Sequence, residues 1–222
     1  MWSDGAMYSG EWKFGKACGE GTFNHSNGDV FQGQVQNDKA NGFGTYTHKN
    51  GQVYVGEWIN DLQNGEGKET MEDGSTYTGG FLNGKKHSKG EYRWADGTHY
   101  TGDWVNNLIE GVGVYIWPDG RRYEGHWKAN KLHDRGVYTW NDGRKYDGEY
   151  LEDKKHGFGV YVWPDGKIYE GYWLDGKQHG EGKFTNVQGK HRIGLWERGE
   201  RLKWYPSSIK EVGPAPIELT HF

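Results

Sequence analysis

Of 222 residues, 38 are glycine, 12 tryptophan and 15 tyrosine, while only 33% are hydrophobic. Disordered chains are poor in aromatics, so an aromatic content of 16% points to a folded chain that buries rings against backbone. A formal charge of −4 argues against a nucleic-acid binder, and the single cysteine, Cys18, excludes an intrachain disulfide and favours a reducing compartment.

The opening Met1-Trp2-Ser3-Asp4-Gly5 has no charged segment leading into an apolar run, and no stretch approaches the ~20 apolar residues of a membrane helix. A soluble, cytoplasmic protein without a signal peptide is expected. Trp2, Asp4 and Gly5 align with Trp94, Asp96 and Gly97, so the chain opens in the second strand of a unit whose first strand is absent.

From Tyr8 onward one pattern returns every 23 residues. Tyr8-Ser9-Gly10-Glu11-Trp12 becomes Tyr54-Val55-Gly56-Glu57-Trp58, then Tyr100-Thr101-Gly102-Asp103-Trp104 and Tyr169-Glu170-Gly171-Tyr172-Trp173. A second slot reads Gly42-Phe43-Gly44-Thr45-Tyr46 or Gly157-Phe158-Gly159-Val160-Tyr161, and its second glycine is present in eight copies. A third is an Asn-Gly or Asp-Gly pair, as at 96–97 and 119–120. Each unit is predicted to be two short strands with period-two alternation. The Asx-Gly pair supplies a tight hairpin turn. The other connection, such as Leu82-Asn83-Gly84-Lys85-Lys86-His87, is expected to be a longer polar loop.

The predicted fold class is all-β: an elongated, single-layer antiparallel meander, a ribbon of hairpins extending roughly 80 Å at ~4.8 Å per strand. Residues 1–200 form the array, with a partial first unit, eight repeats from Tyr8 and a degraded ninth copy, Arg192-Ile193-Gly194-Leu195-Trp196, as a cap. Residues 201–222 form a tail that either straps the sheet end or acts as a docking arm. Alternation puts Tyr100, Gly102 and Trp104 on one face, and Gly111, Gly113, Tyr115 and Trp117 on the same face of the partner strand. Glycine inside a strand costs about 0.5–1 kcal/mol relative to alanine, so its recurrence implies rings lying across it.

The motifs Tyr-x-Gly-Glu-Trp, Gly-x-Gly-x-Tyr and a closing Asp-Gly at this interval resemble MORN repeats, over roughly residues 1 to 200. Gly80, Ser88 and Asp134 depart from the pattern. The resemblance implies a grooved aromatic face and roles in organising membranes and cytoskeleton, including the radial spokes of cilia.

No catalytic residue, metal ligand or cofactor is predicted. His87, His133, His156 and His179 share one slot, but adjacent copies about 10 Å apart cannot converge on an ion held at ~2.1 Å. Lys16, Lys39, Lys85, Lys86, Lys131, Lys154, Lys155 and Lys177 are expected on one margin, and Asp73, Asp96, Asp119, Asp142 and Asp165 on the other. A single layer leaves its aromatic face uncovered, and exposed apolar surface marks interaction sites. A helix or extended segment of a protein partner is therefore expected in a groove centred on Tyr100, Trp104, Tyr115, Trp117, Tyr123, Trp127, Tyr138 and Trp140. The reading is a non-enzymatic scaffold in a multi-subunit cytoskeletal assembly, with the ciliary or flagellar axoneme expected from the resemblance. The alternative is a membrane adaptor binding anionic phospholipid through Lys85, Lys86, Lys131, Lys154, Lys155 and Lys177. Nucleic acid is not expected as a partner, and a homodimer stays open.

Overall fold

Rings and glycines at every second position of a Tyr-x-Gly-x-Trp stretch can share a face only if the backbone is extended. The computed structural model describes residues 3–206, and every regular element among them is a strand. The first nine are β1 (Met7–Lys13), β2 (Lys16–Asn24), β3 (Val30–Gln36), β4 (Lys39–Thr47), β5 (Val53–Ile59), β6 (Leu62–Thr70), β7 (Thr76–Leu82), β8 (Lys85–Arg93) and β9 (His99–Val105). Then follow β10 (Leu108–Ile116), β11 (Arg122–Lys128), β12 (Lys131–Thr139), β13 (Lys145–Leu151), β14 (Lys154–Val162), β15 (Ile168–Leu174), β16 (Lys177–Thr185), β17 (His191–Glu197) and β18 (Glu200–Trp204). The chain divides into two units, Met1–Gly111 and Val112–Phe222, with the boundary inside β10. In the first, β1 to β9 pair antiparallel in chain order; in the second, β11 to β18 do the same. Each is a single-layer meander of hairpins. Residues 207–222, which hold most of the expected tail, lie outside the described residues.

The two connections exchange the lengths expected from sequence. β7 and β8 are joined by two residues alone, Asn83 (φ 50°) and Gly84 (φ 78°), the paired left-handed geometry of a tight hairpin turn. Lys85, Lys86 and His87 are therefore strand residues, not loop. The Asp-Gly pair instead lies within a five-residue link, where Gly97 N–H donates to Trp94 O (3.0 Å) and Trp94 N–H to Thr98 O (2.9 Å). Asp96 Oδ1 accepts from Thr98 N–H at 2.8 Å, closing an Asx turn. The sequence signal misleads because many tight turns use pairs without glycine, such as Asn106-Asn107 and Glu152-Asp153, all at positive φ.

These tight turns also tie each repeat to the one before. Asp61 N–H donates to Ala40 O (3.0 Å), and Ala40 N–H donates back to Asp61 Oδ1 (2.7 Å). Asp38 holds Ala17 in this way, Asn107 holds Lys86 and Asp153 holds Leu132.

The first glycine of Gly-x-Gly marks a bulge. Gly148 faces Gly159 and Glu149 faces His156, so Gly157 and Phe158 stand without partners on β13. Gly157 is left-handed (φ 56°), as are Ser88 (φ 62°) and Asp134 (φ 48°) in the same slot. The Glu of Tyr-x-Gly-Glu-Trp stabilises the bulge: Glu149 Oε1 accepts from Phe158 N–H at 3.2 Å, and Gln34 Oε1 does the same for Phe43 N–H at 2.8 Å.

The second glycine of Gly-x-Gly and the glycine of Tyr-x-Gly face one another across the strand pairs up to β17, running through Gly125, Gly136, Gly148, Gly159, Gly171, Gly182 and Gly194 in the second unit. A tyrosine lies on the glycine pair of most hairpins, and Phe31 takes that place over Gly44. A β-carbon on Gly159 would stand 2.6 Å from Cε2 and Cζ of Tyr146. Tyr146 Oη donates to Glu149 O at 2.9 Å, and Tyr54, Tyr77, Tyr123 and Tyr169 reach the equivalent carbonyl. These tyrosines are fully buried.

Gly159→Ala is expected to displace the Tyr146 ring and to lower stability by about 1–3 kcal/mol, the usual range for overpacking. Denaturant unfolding measures this, and wild-type stability in the variant would disprove the ring-on-glycine account.

Candidate partner-binding face

The eight rings expected in the groove fall into two layers of depth. Tyr100 and Tyr123 have no exposed surface, and Trp104, Trp127 and Tyr138 are also buried. Tyr115, Trp117 and Trp140 are half-buried and face solvent on one side. Strand position explains the split except at Tyr138, which shares its repeat slot with Tyr115 yet is buried. Tyr123 sits over Gly136 and is wedged between Trp127 (5.1 Å, edge-on) and Tyr150 of the next repeat (5.4 Å, edge-on), so it is core. Tyr115, Trp117 and Trp140 lie toward the end of the second strand and in the five-residue link beyond it, where no further layer covers them.

In the second unit these outer rings touch in series. Centroids are 4.5 Å apart for Tyr115–Trp117, 5.1 Å for Trp117–Tyr138, 4.3 Å for Tyr138–Trp140 and 5.9 Å for Trp140–Tyr161. The series continues through Trp163 and Phe184 to Trp204. Trp163, Phe184 and Trp204 were not singled out in the sequence, although Trp163 occupies the same repeat slot as Trp117 and Trp140. In the first unit Phe23, His25, Tyr46 and His48 form a shorter run, and the next repeat places Glu69 and Met71 in that slot.

The second residue after each tight turn points into this face, because it stands opposite the strand's terminal ring: Trp58 faces Gln63, Phe81 faces Lys86, Trp127 faces Leu132 and Tyr150 faces Lys155. Lys155 extends its ammonium over Tyr161 (4.3 Å), Trp173 (4.8 Å), Tyr146 (5.2 Å) and Trp140 (5.3 Å). Burial, with Arg144 adding to it, pushes Lys155 down to about 8, so the ammonium still predominates at neutral pH. Lys86 lies over Tyr77 (5.2 Å) and bonds Glu69 at 2.5 Å. Of the other lysines, Lys131 pairs with Glu152 (3.5 Å) and Lys154 with Asp175 (3.2 Å), while Lys85 and Lys177 are exposed.

The Asp-Gly margin is locally neutralised in later repeats, where Asp119, Asp142 and Asp165 each pair with Arg121, Arg144 or Lys167 at 2.7 Å. His87, His133, His156 and His179 lie in strands beside the bulges. Among the described residues, no three His, Cys, Asp or Glu side chains converge where they could hold a metal ion. Cys18 is half-buried, and its carbonyl accepts from Tyr8 Oη at 3.0 Å. Asp29 is a heavily bonded carboxylate. It accepts from Lys49 N–H (2.9 Å), Tyr46 Oη (2.9 Å) and Asn27 Nδ2 (3.0 Å), with His48 Nδ1 at 3.3 Å. The Lys49 N–H and Tyr46 hydroxyl hold its acid down at about 2, while burial and Asp29 push Tyr46 up to about 12.

The MORN repeat model matches residues 8–30, 31–53, 54–76, 77–99, 100–121, 123–143, 146–168 and 169–190, and the chain belongs to that family. The family is generally a non-enzymatic scaffold fold. Among solved structures, the chain is similar to the wild-type TCP10 domain of Danio rerio CPAP in complex with a peptide of Danio rerio STIL. Identity is 14% over 85% of this chain and 84% of that one, with a TM-score of 0.50. It also matches the TCP domain of Drosophila melanogaster SAS-4 in complex with a proline-rich motif of Ana2, at 8% identity, 80% and 90% coverage and a TM-score of 0.45. The first likeness shows a shared fold and no more. No curated protein matches the chain.

Two outcomes are expected. Trp127→Ala removes a buried ring and should cost about 3–5 kcal/mol, whereas half-exposed Trp117→Ala should cost about 0.5 kcal/mol, both read by denaturant unfolding. Because Asp29 has a lower pKa folded than unfolded, its stabilisation is complete above about pH 4 and fades toward pH 2. Asp29→Asn should therefore flatten the acid limb of a stability profile in that window; an unchanged acid limb would mean that Asp29 does not govern it.

Proposed function

We propose that this chain is a non-catalytic scaffold that receives a helical or extended segment of a protein partner along its outer rings. The observation that carries the reading is the ring series from Tyr115 to Trp204, an aromatic surface left half-open by a fold with one layer. Tyr and Trp make strong interface anchors because they combine large apolar area with a polar edge. Repetition favours an extended contact over a unique reactive centre. The similar TCP10 domain was solved with a bound peptide, which agrees with such a use of the fold.

The setting proposed is a multi-subunit cytoskeletal assembly in the cytoplasm, of the radial-spoke-head type in a ciliary or flagellar axoneme. That location rests on the resemblance of the repeats. A protein partner is favoured over anionic lipid because Lys86, Lys131 and Lys154 are paired with carboxylates and Lys155 is enclosed by rings, so that four of the six lysines are already engaged within the chain. Capture from native cells, followed by mass spectrometry, should retrieve a defined set of partners with the wild-type protein and lose it with Trp117→Ala/Trp140→Ala. A folded double variant that keeps the same partners would refute the proposed face. Sedimentation with phosphatidylserine vesicles at low salt is expected to leave the protein in solution.

A further inference from the structure

The Lys155 site repeats elsewhere in the chain with its lysine missing. Five repeats earlier, the residues equivalent to Trp140, Tyr146, Tyr161, Trp173 and Lys155 are His25, Phe31, Tyr46, Trp58 and Ala40. The walls keep nearly the same spacing. His25–Tyr46, Phe31–Trp58 and Tyr46–Trp58 centroids are 5.7, 5.4 and 6.0 Å apart, against 5.9, 5.3 and 5.9 Å for the matching pairs around Lys155. With only a methyl group at Ala40, these rings enclose an open pocket of about 250 Å³. Its remaining lining is Phe23, Asp38 and Asp61.

We propose that the pocket around Ala40 is a receptor for a lysine side chain carried by the partner protein, the ammonium seated among Tyr46, Trp58, Phe31 and His25. The proposal deepens the partner-binding reading above and rests on it. Three observations support it. The chain itself seats an ammonium in this cage geometry at Lys155, so the ring arrangement accommodates a cation. A second lysine occupies the same slot at Lys86, over Tyr77 and Tyr92 and paired with Glu69. Thirdly, charge changes in the direction a foreign cation requires: the open pocket has Asp61 where the lysine-filled one has Gly176. Asp61 and Asp38 each use one oxygen on a backbone N–H, of Ala40 and Ala17 respectively, which fixes both carboxylates at the pocket. Trp58 is held by its Nε1–H donated to Gly44 O at 3.1 Å, and Tyr46 by its hydroxyl on Asp29, so the walls are set before a ligand arrives.

The test is an NMR titration of the Trp58 indole N–H signal with N-acetyl-lysine methylamide, alongside the norleucine analogue, which has the same chain without the charge. The lysine probe should shift the signal saturably and bind about ten-fold more tightly than norleucine. Ala40→Lys, which places the chain's own ammonium in the cage, should abolish the response. Asp61→Asn should weaken lysine binding about three-fold and leave norleucine unchanged. In the opposite sense, Lys155→Ala should create a second responsive site, read at Trp173. Equal binding of both probes would reduce the pocket to an apolar dent and overturn the proposal. So would an undiminished lysine response in Ala40→Lys or Asp61→Asn, or silence at Trp58 in the wild-type protein. Partner capture that survives Ala40→Lys but is lost with Trp117→Ala/Trp140→Ala would reject the lysine receptor and leave the scaffold reading standing.

Discussion

A phenol ring lying flat on two facing glycines does the work that a second layer of secondary structure does in most β-proteins. A one-layer sheet has little apolar interior, so its side chains must find burial against its own backbone. Glycine makes that backbone reachable, since any β-carbon on Gly159 would meet the Tyr146 ring. The tyrosine hydroxyl then finds a carbonyl three residues on, so the ring is buried without an unsatisfied polar atom. The bulge and the edge-on tryptophans are arranged around that contact. A glutamate holds the bulge, and the rings of two successive repeats close over each tyrosine from either side.

This arrangement divides the aromatics by role. First-strand rings are consumed by the fold, together with Tyr138 and Tyr161 of the second strands, whereas Tyr115, Trp117 and Trp140 stay half-exposed for other molecules. A residue can therefore be an interface candidate or a core residue depending on its place along the hairpin and on what the neighbouring repeat lays beside it, although its type and its face are the same. The slot after the tight turn adds a second level of control. Lysine, glutamine, leucine, isoleucine and alanine all occur there, and each changes the depth and charge of the face without disturbing the repeat beneath it.

Much of the fold was legible in the chain. The 23-residue interval, the facing glycines and the ring stacked on them follow from alternation and from the entropic cost of glycine in strands. Three features were not. Asn106-Asn107 and Glu152-Asp153 do not advertise a tight turn, because the strongest signal for one, Asp-Gly, is used here in a longer link. The role of the motif glutamate has no sequence signal, because its partner is a backbone N–H exposed only by the bulge. Tyr100 and Tyr123 looked as available as Tyr115, because alternation assigns a face and says nothing of what the neighbouring repeat lays over it.

The reciprocal bonds between Asp61 and Ala40, and their counterparts at Asp38, Asn107 and Asp153, give each unit a direction. Each of these four turns leans on a strand residue that precedes it in the chain by 21 positions. A hairpin leaving the ribosome thus meets its anchor already formed, so growth can proceed vectorially, each new tip docking on finished structure.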